Sequence, residues 1–251
     1  MSADLMTAVI TGAGALDGIG MACARGFAAE GFEVHLVATS DRILDRAAEL
    51  RTEGYRATGH LCDLTDGAAV LRLRQATGPA TVLVNNAGMG SQGQPALQRL
   101  FVDLAEADWD RGISVTLKTA FLATRAYLPD MITAGYGRVV NVASVTGPCV
   151  TNPGESAYSA AKAGMVGLTK ALALEAGPYG VTVNAVAPGW IETGASTDDE
   201  RRAATATPCG RAGRPDEVAA AVVFLASAKA SYINGAMLVV DGGNILQERK
   251  A

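Results

Sequence analysis

Short apolar runs alternate with segments of helical periodicity along the chain, and this alternation limits the possible folds more than any other feature. The apolar runs predict strands at residues 7–10, 34–39, 57–62, 81–85, 138–142, 181–186 and 236–240. Helices are predicted near residues 18–30, 41–53, 66–76, 106–134, 156–178 and 215–227. Most of the runs lack polar alternation, as expected of a parallel sheet covered on both faces. We therefore expect an α/β fold, a single doubly wound parallel sheet of about seven strands with helices on both faces.

The chain has 251 residues, 49% of them hydrophobic, and we find no linker, repeat or low-complexity segment. This length suits one α/β domain, so we expect residues 1–251 to form a single domain. Residues 189–213 are rich in Gly, Thr, Ser and charge, and they predict an irregular segment. We interpret this segment as a short substrate lid, because ligands of such folds bind beyond the carboxyl ends of the strands.

Charge and hydropathy exclude several classes of partner. The net charge is −4 and no Lys/Arg run exceeds two residues, so we expect no nucleic-acid partner. No apolar stretch reaches the ~18 residues of a membrane span, so we expect no membrane partner. The first residues also lack the basic flank and apolar stretch of a signal peptide.

The cysteines and histidines show no metal-binding spacing. His35 and His60 lie on predicted strands without nearby cysteines or carboxylate clusters, so they are interpreted as structural and no metal site is expected. Scattered cysteines in a chain of this size predict reduced thiols and a cytoplasmic protein. The cysteines are Cys23, Cys62, Cys149 and Cys209.

A glycine-rich turn, TGAGALDGIG at residues 11–20, joins the first predicted strand to the first predicted helix. The start of a helix carries unpaired N–H groups and about half a positive charge, and glycines let a phosphate approach it closely. Gly12, Gly18 and Gly20 therefore predict the pyrophosphate loop of a Rossmann-type fold. The spacing is unusual, because five residues separate Gly12 from Gly18 where the usual fingerprints have one or three.

Polar residues also follow two other predicted strands. Asp63 could accept a hydrogen bond from an adenine amino group, and Asn86 and Gly88 lie where a cofactor ribose would be placed. Each residue alone is more often a turn or cap residue. Together they lie at the carboxyl ends of neighbouring strands, where this architecture binds ligands.

A hydroxyl, a phenol and an amine are predicted to converge at another strand end. Tyr158 and Lys162 are four residues apart on a predicted helix and share one face. Ser144 follows the strand at 138–142 and precedes the loop that leads to this helix.

In this order and combination, the pieces resemble the classical short-chain dehydrogenase/reductase family over nearly the whole chain, most closely its 3-oxoacyl-acyl-carrier-protein-reductase-like members. The matching pieces are the glycine loop, Asp63, Asn85-Asn86-Ala87-Gly88, Ser144, Tyr158 with Lys162, Pro188-Gly189 with Thr193, and residues 241–243. The resemblance implies an NAD(P)-dependent oxidoreductase that transfers a hydride between a nicotinamide and a small-molecule ketone or secondary alcohol.

The resemblance also implies residue roles. Tyr158 would be the general acid/base, Ser144 would orient the carbonyl oxygen, and Lys162 would bind the nicotinamide ribose and lower the Tyr158 pKa. The family commonly pairs the 106–134 and 156–178 helices with a second subunit, which implies a homotetramer. The implied cofactor contacts are Gly12, Asp17, Gly18, Ile19, Gly20, Thr39, Ser40, Asp63, Leu64, Asn86, Ala87, Gly88, Tyr158, Lys162, Pro188, Gly189, Ile191 and Thr193.

Three departures from the family pattern stand out. The glycine loop is two residues longer than the family's usual form, and we expect residues 13–17 to bulge near the adenosine side of the pyrophosphate. Thr116 takes the position of a common catalytic Asn, and it is either a substitute or a lost relay group; we expect a substitute whose hydroxyl can bond back to the carbonyl four residues earlier. The region between Thr193 and Arg211 is shorter than in many relatives, and Trp190 and Cys149 are candidates both for substrate contact and for ordinary packing.

The sequence gives conflicting indications about the cofactor. The usual acidic NAD determinant falls on Ala38, while Thr39, Ser40 and Arg42 could receive a 2′-phosphate. Asp17 stands where NADP-preferring relatives often have a basic residue, and its charge would oppose a phosphate. NADP(H) is favoured over NAD(H) on this reading.

The alternative is a non-catalytic dinucleotide-binding sensor or regulatory protein on the same fold. Such a protein predicts a broken Tyr–Lys pair, whereas Tyr158 and Lys162 are both present. A serine hydrolase is disfavoured, because no histidine follows Ser144 and no Gly-x-Ser-x-Gly turn surrounds it.

Overall fold

Seven parallel strands form one sheet in the order β3-β2-β1-β4-β5-β6-β7 in this computed structural model, which describes residues 6–89 and 98–248. The strands are β1 Thr7–Thr11, β2 Glu33–Ala38, β3 Ala57–Leu61, β4 Val82–Asn85, β5 Gly137–Val142, β6 Val181–Pro188 and β7 Met237–Val240. Every predicted strand is present, with ends within two residues of those expected. The predicted fold class is confirmed. Residues 1–5, 90–97 and 249–251 of the predicted domain lie outside the described residues.

The helices follow the predicted alternation, with two differences. They are α1 Ile19–Ala29, α2 Arg42–Thr52, α3 Gly67–Thr77, α4 Glu106–Ile113, α5 Thr119–Ala134, α6 Ser156–Ala176, α7 Asp198–Thr205 and α8 Pro215–Ala226. The predicted helix at 106–134 is divided by a π-helical turn at Ser114–Lys118. The 189–213 segment was predicted to be irregular, but it contains α7. None of the helices in the described part of the chain is long and apolar enough to cross a bilayer.

The two faces of the sheet carry separate apolar layers. Phe27 of α1, Leu50 of α2 and Leu225 of α8 pack on one face. Tyr127 and Met131 of α5 pack on the other, together with parts of α3 and α6. All residues of β5 and β6 are buried, as expected of strands covered on both sides. Because all the strands are parallel, the polar residues that follow them lie together beyond the carboxyl ends of the strands.

Two histidines form a hydrogen-bonded pair near the β3 edge of the sheet. The distance from His35 Nδ1 on β2 to His60 Nε2 on β3 is 2.9 Å. Burial lowers the pKa of both rings, and it lowers the pKa of His60 to about 4. Since His35 is buried and both rings are neutral at neutral pH, the pair is a structural contact between adjacent strands.

This pair predicts a loss of stability in mild acid. The folded pKa of His60 lies below its unfolded value of 6.5. The fold therefore favours the neutral ring, whose contribution to stability is complete above that value and is lost as the pH falls towards about 4. We expect the free energy of unfolding in urea to fall by about 1 kcal/mol between about pH 7 and pH 5, an amount already reduced for the partial exposure of His60. His60→Gln should flatten this slope, and an equal slope in both proteins would contradict the prediction.

Candidate active site

The loop after β1 requires glycine at two positions because of close backbone approach. Gly12 has a φ of +69°, and a Cβ on it would lie 2.8 Å from Ala87 Cα. A Cβ on Gly20 would lie 2.6 Å from the Gly12 carbonyl oxygen. The Asn86 side chain donates to the carbonyls of Thr11 and Gly12 at 3.1 and 3.0 Å. The loop is therefore packed tightly against the segment that follows β4.

The N-terminus of α1 remains open to an anion. Its N-cap is Gly18, no side chain caps it, and its first turn, which begins at Ile19, has no acidic residue. Unpaired N–H groups and the positive end of the helix dipole are therefore available at this end of α1. This geometry suits a phosphate group.

The lengthened glycine loop reaches to both sides of the cleft. Gly14, which the sequence interpretation missed, lies at the end of β2, where its Cβ would be 3.1 Å from Ala38 Cβ and 3.9 Å from Ser40 Oγ. A fourth glycine within residues 11–20 was the available signal. Asp17 lies on the other side, because a Cβ on Gly194 would be 2.5 Å from Asp17 Oδ2. Asp17 therefore lies against the 189–213 segment, and the expected position of residues 13–17 near the adenosine side stays a prediction.

The ends of β2 and β3 carry further polar groups. Ser40, which follows Thr39, accepts a hydrogen bond at Oγ from Arg42 Nε at 3.3 Å. Asp63 Oδ1 accepts hydrogen bonds from the Thr65 backbone N–H at 2.9 Å and the Thr65 hydroxyl at 2.7 Å. These bonds lower the pKa of the exposed Asp63 carboxyl. Leu64 beside it is buried.

The predicted catalytic side chains converge beyond the end of β5. Ser144 is buried, its Oγ accepts from the Thr146 N–H at 3.0 Å, and it is hydrogen-bonded to Tyr158. Lys162 Nζ lies 5.7 Å from the centre of the Tyr158 ring, one turn along α6. Lys162 Nζ also donates to the Val142 carbonyl oxygen at 2.7 Å, so the last residue of β5 fixes its position.

Burial and neighbouring groups shift the pKa values of this cluster. Burial raises the pKa of Tyr158, the hydrogen bond with Ser144 opposes that rise, and the carboxylates of Glu155 and Glu200 reinforce it. The Lys162 ammonium, which was expected to lower the Tyr158 pKa, donates to the Val142 carbonyl oxygen, and its effect on the phenol stays a prediction. Burial lowers the pKa of Lys162 itself to about 8. The sequence reasoning did not identify Glu155 or Glu200.

Thr116 lies within the π-helical turn and is fully buried. Its Oγ1 accepts a hydrogen bond from the Met89 N–H at 3.2 Å. The expected bond back to an earlier helical carbonyl is instead made by Thr119, whose hydroxyl donates to Val115 O at 3.0 Å. A Cβ on Gly88 would lie 3.7 Å from both Thr116 Cγ2 and Lys162 Nζ. Thr116 therefore holds the loop after β4 beside Lys162, and π-turns are frequent at functional sites.

The start of the 189–213 segment crosses the same edge of the sheet. Gly189 follows Pro188 at the end of β6, and a Cβ on it would lie 2.6 Å from Asp241 Cβ. Ile191 pairs with Gly213 in an isolated bridge, and the Thr193 N–H donates to Ser196 Oγ at 3.0 Å. These contacts hold the backbone at 188–196 over the cleft that the glycine loop borders.

Trp190 and Cys149 remain candidates for substrate contact. The indole N–H of the half-buried Trp190 is buried and has no hydrogen-bond partner among the described residues. Cys149 is an exposed free thiol in the loop that follows Ser144.

A buried series of side-chain hydrogen bonds, the Thr124–Thr169 chain, fixes α6 against the sheet below the site. Asn85 Nδ2 donates to Thr124 Oγ1 on α5 at 2.9 Å and to Asn141 Oδ1 on β5 at 2.8 Å. Asn141 Nδ2 donates to Thr169 Oγ1 on α6 at 2.8 Å. All four residues are almost completely buried. Hydrogen bonds of this kind restrict the position of the helix that carries Tyr158 and Lys162.

Comparison with known proteins places the chain among oxidoreductases. A family model described as Enoyl-(Acyl carrier protein) reductase matches residues 12–244. Oxidoreductase UcpA of Salmonella typhimurium is 40% identical, with 96% of this chain and 95% of UcpA covered. Galactitol 2-dehydrogenase of Rhizobium johnstonii is 39% identical, with 94% and 93% covered. The structure of a 3-oxoacyl-[acyl-carrier protein] reductase with bound NAD from Brucella melitensis has a TM-score of 0.88 at 32% identity, with 96% of this chain and 92% of that chain covered.

Proposed function

The chain belongs to the short-chain dehydrogenase/reductase family of oxidoreductases, and from this premise we propose that it transfers a hydride between NAD(P) and a ketone or secondary alcohol. The observation that carries this proposal is the convergence of Ser144, Tyr158 and Lys162 beside the glycine loop. Members of this family use NAD(P) cofactors.

The residues around the cleft fit a dinucleotide. Gly12 and Gly20 leave no room for side chains and so present backbone to the cleft, while the uncapped start of α1 suits the pyrophosphate. Asp63, Asn86 and Thr193 supply polar groups around it. When bound, the nicotinamide would supply or accept the hydride.

Each side chain of the cluster has a distinct proposed role. Burial raises the Tyr158 pKa, so the phenol holds its proton at neutral pH and can donate it to a carbonyl oxygen. The Ser144 hydroxyl, bonded to Tyr158, would orient that oxygen. The Lys162 ammonium would bind the nicotinamide ribose hydroxyls from its position on the Val142 carbonyl.

Thr116 is proposed to replace the catalytic Asn that is common in this family, by holding the loop after β4. Thr116→Val removes the acceptor of the Met89 N–H and keeps the side-chain shape, so we expect kcat to fall by about tenfold. Thr116→Asn keeps an acceptor and should retain most of the activity. Steady-state kinetics on both variants test the role, and unchanged kcat in both would remove Thr116 from the mechanism.

We propose NADP(H) as the preferred cofactor. Ser40 and Arg42 lie together at the end of β2 beside Gly14, and Ala38 supplies no carboxylate there. Asp17, the main argument against a 2′-phosphate, faces Gly194 instead. Fluorescence titration should give a lower Kd for NADPH than for NADH, and a lower Kd for NADH would overturn this preference.

A panel of carbonyl compounds tests the proposed activity. Purified protein with reduced cofactor should show loss of cofactor absorbance with at least one small ketone. The first compounds to include are sugar-derived ketones and 3-oxoacyl thioesters, because the similar proteins include a galactitol 2-dehydrogenase and a 3-oxoacyl-[acyl-carrier-protein] reductase. Tight cofactor binding without turnover of any compound would favour the alternative, a non-catalytic sensor.

We also propose a homotetramer that pairs the α5 and α6 face with a second copy. An apolar groove lined by Phe121, Leu128, Leu168 and Leu172 runs between these helices. Phe121 is 43% exposed there. Light scattering coupled to size-exclusion chromatography should give four times the chain mass, and a monomer mass would contradict the assembly.

A cytoplasmic location is proposed from the cysteine chemistry. All four cysteines are free, and Cys23 and Cys62 are buried. Reduced thiols are typical of the cytosol. Fractionation of the native cells would test this location.

A further inference from the structure

Asp17 contacts the 189–213 segment across the cleft. The position that a Cβ on Gly194 would take is 2.5 Å from Asp17 Oδ2 and 3.0 Å from Oδ1. Both residues are exposed, so the contact lies at the outer opening of the cleft.

The carboxylate stands beside the anion site of the protein. Asp17 directly precedes Gly18, the N-cap of α1, and no acidic residue occupies the first turn of that helix. The helix start attracts a pyrophosphate, whereas the Asp17 charge repels it. Gly194 follows Thr193, which borders the cleft from the other side.

On the basis of the proposed dinucleotide function, we propose that Asp17 is a charged gate of the cofactor cleft. It contacts Gly194 across the opening, and its charge weakens dinucleotide binding and speeds dinucleotide release. The gate acts on the pyrophosphate, so it affects NADH and NADPH alike. Release of the spent cofactor is a step that often limits turnover in enzymes with mobile segments over the site.

The decisive variant is Asp17→Asn, which keeps the shape of the side chain and removes its charge. The matched control is Glu30→Gln, which removes one negative charge from the exposed C-cap of the same helix, about 16 Å from its start. Calorimetry would measure the Kd of NADH, NADPH and ADP-ribose for the three proteins. ADP-ribose retains the pyrophosphate and lacks the nicotinamide.

Asp17→Asn should bind all three ligands about three- to tenfold more tightly at low ionic strength, and the gain should shrink in high salt. Stopped-flow fluorescence should show slower release of NADH and NADPH. Glu30→Gln should leave each Kd within about twofold of the unchanged protein. This pattern supports the gate.

Equal or weaker binding by Asp17→Asn overturns the gate, as does a gain confined to NADPH, which would assign Asp17 to the 2′-phosphate. If neither the unchanged protein nor Asp17→Asn binds any of the three ligands, the proposed function itself fails.

A second test addresses the contact between Asp17 and Gly194 alone. Gly194 has no positive φ, so Gly194→Ala should lower Tm in the unchanged protein through its clash with Asp17 and should lower it less in Asp17→Gly. Equal losses in both backgrounds overturn the contact.

Discussion

Replacement of Tyr158 by phenylalanine should lower kcat by at least about a hundredfold and leave dinucleotide binding intact. The change removes only the hydroxyl that is bonded to Ser144 and retains the ring on α6. A positioned proton donor typically contributes about 10²–10⁴ in rate, so its loss leaves only the slower reaction with solvent as acid. Single-turnover absorbance with the best ketone, together with a fluorescence titration of the cofactor, measures the two quantities separately.

The matched control for this variant is Tyr127→Phe. Tyr127 on α5 is buried, and its hydroxyl is hydrogen-bonded to Thr77 Oγ1 at 2.9 Å, but it packs in the apolar layer between α5 and the sheet, away from the cluster. It should lose some stability and keep its turnover. Near-normal turnover in Tyr158→Phe would remove Tyr158 from the reaction.

Lys162→Met should abolish turnover and, at the same time, raise the stability of the protein. The buried ammonium has a pKa of about 8, against 10.5 for a free lysine, which corresponds to about 3 kcal/mol of destabilisation at neutral pH. Methionine fills a similar volume without a charge. The variant also leaves the Val142 carbonyl without its partner, which costs about 1–3 kcal/mol. We expect a net gain of about 1 kcal/mol, or about 2–4 °C in Tm.

The pH dependence identifies the cause of this gain. Below about pH 8 both the folded and the unfolded protein hold the Lys162 proton, and the full cost of the buried charge is present. Between about pH 8 and 10.5 the folded protein loses this proton first, so its stability should rise with pH. The Lys162→Met variant should lack that rise, whereas the control Lys170→Met, at an exposed position of α6, should keep it. A lower Tm for Lys162→Met than for the unchanged protein would contradict the argument.

The sheet could be predicted from sequence because its strands are covered on both faces. Residues 8–10 of β1 and 82–84 of β4 form uninterrupted apolar runs that are fully buried, as expected of strands with two covered faces. The alternation with helical patterns then determines a parallel sheet. The ends of the strands could be predicted as well, because polar and glycine residues come directly after them.

The 189–213 segment contains a helix-start signal that was overlooked because of the composition of the segment. Thr197 and Glu200 form a capping box at the start of α7, and the spacing Thr-x-x-Glu was readable. The abundance of small and charged residues instead favoured an irregular segment. Composition therefore outweighed a specific helix-start signal in that prediction.

The convergence of Ser144 with Tyr158 and Lys162 could be predicted from sequence, but the other partners of the site residues could not. The direction of Lys162 towards Val142 and of Asp17 towards Gly194 depends on how two separate segments meet in space. The π-helical turn that contains Thr116 also depends on tertiary packing, since local propensity does not distinguish such a turn from a continuous α-helix. The sequence indicated that these side chains lie at the cleft, but it did not indicate which residues they contact.

The Thr124–Thr169 chain divides the protein into a part that must stay fixed and a part that can change. Its four members join α5, β4, β5 and α6, and none of them belongs to the 189–213 segment. The position of the proposed proton donor is therefore set independently of the residues that are proposed to form the substrate lid. If the proposed activity holds, we expect a library that randomises the exposed positions of α7 to alter substrate choice while Tyr158 on α6 keeps its place, which would suit this scaffold to directed evolution.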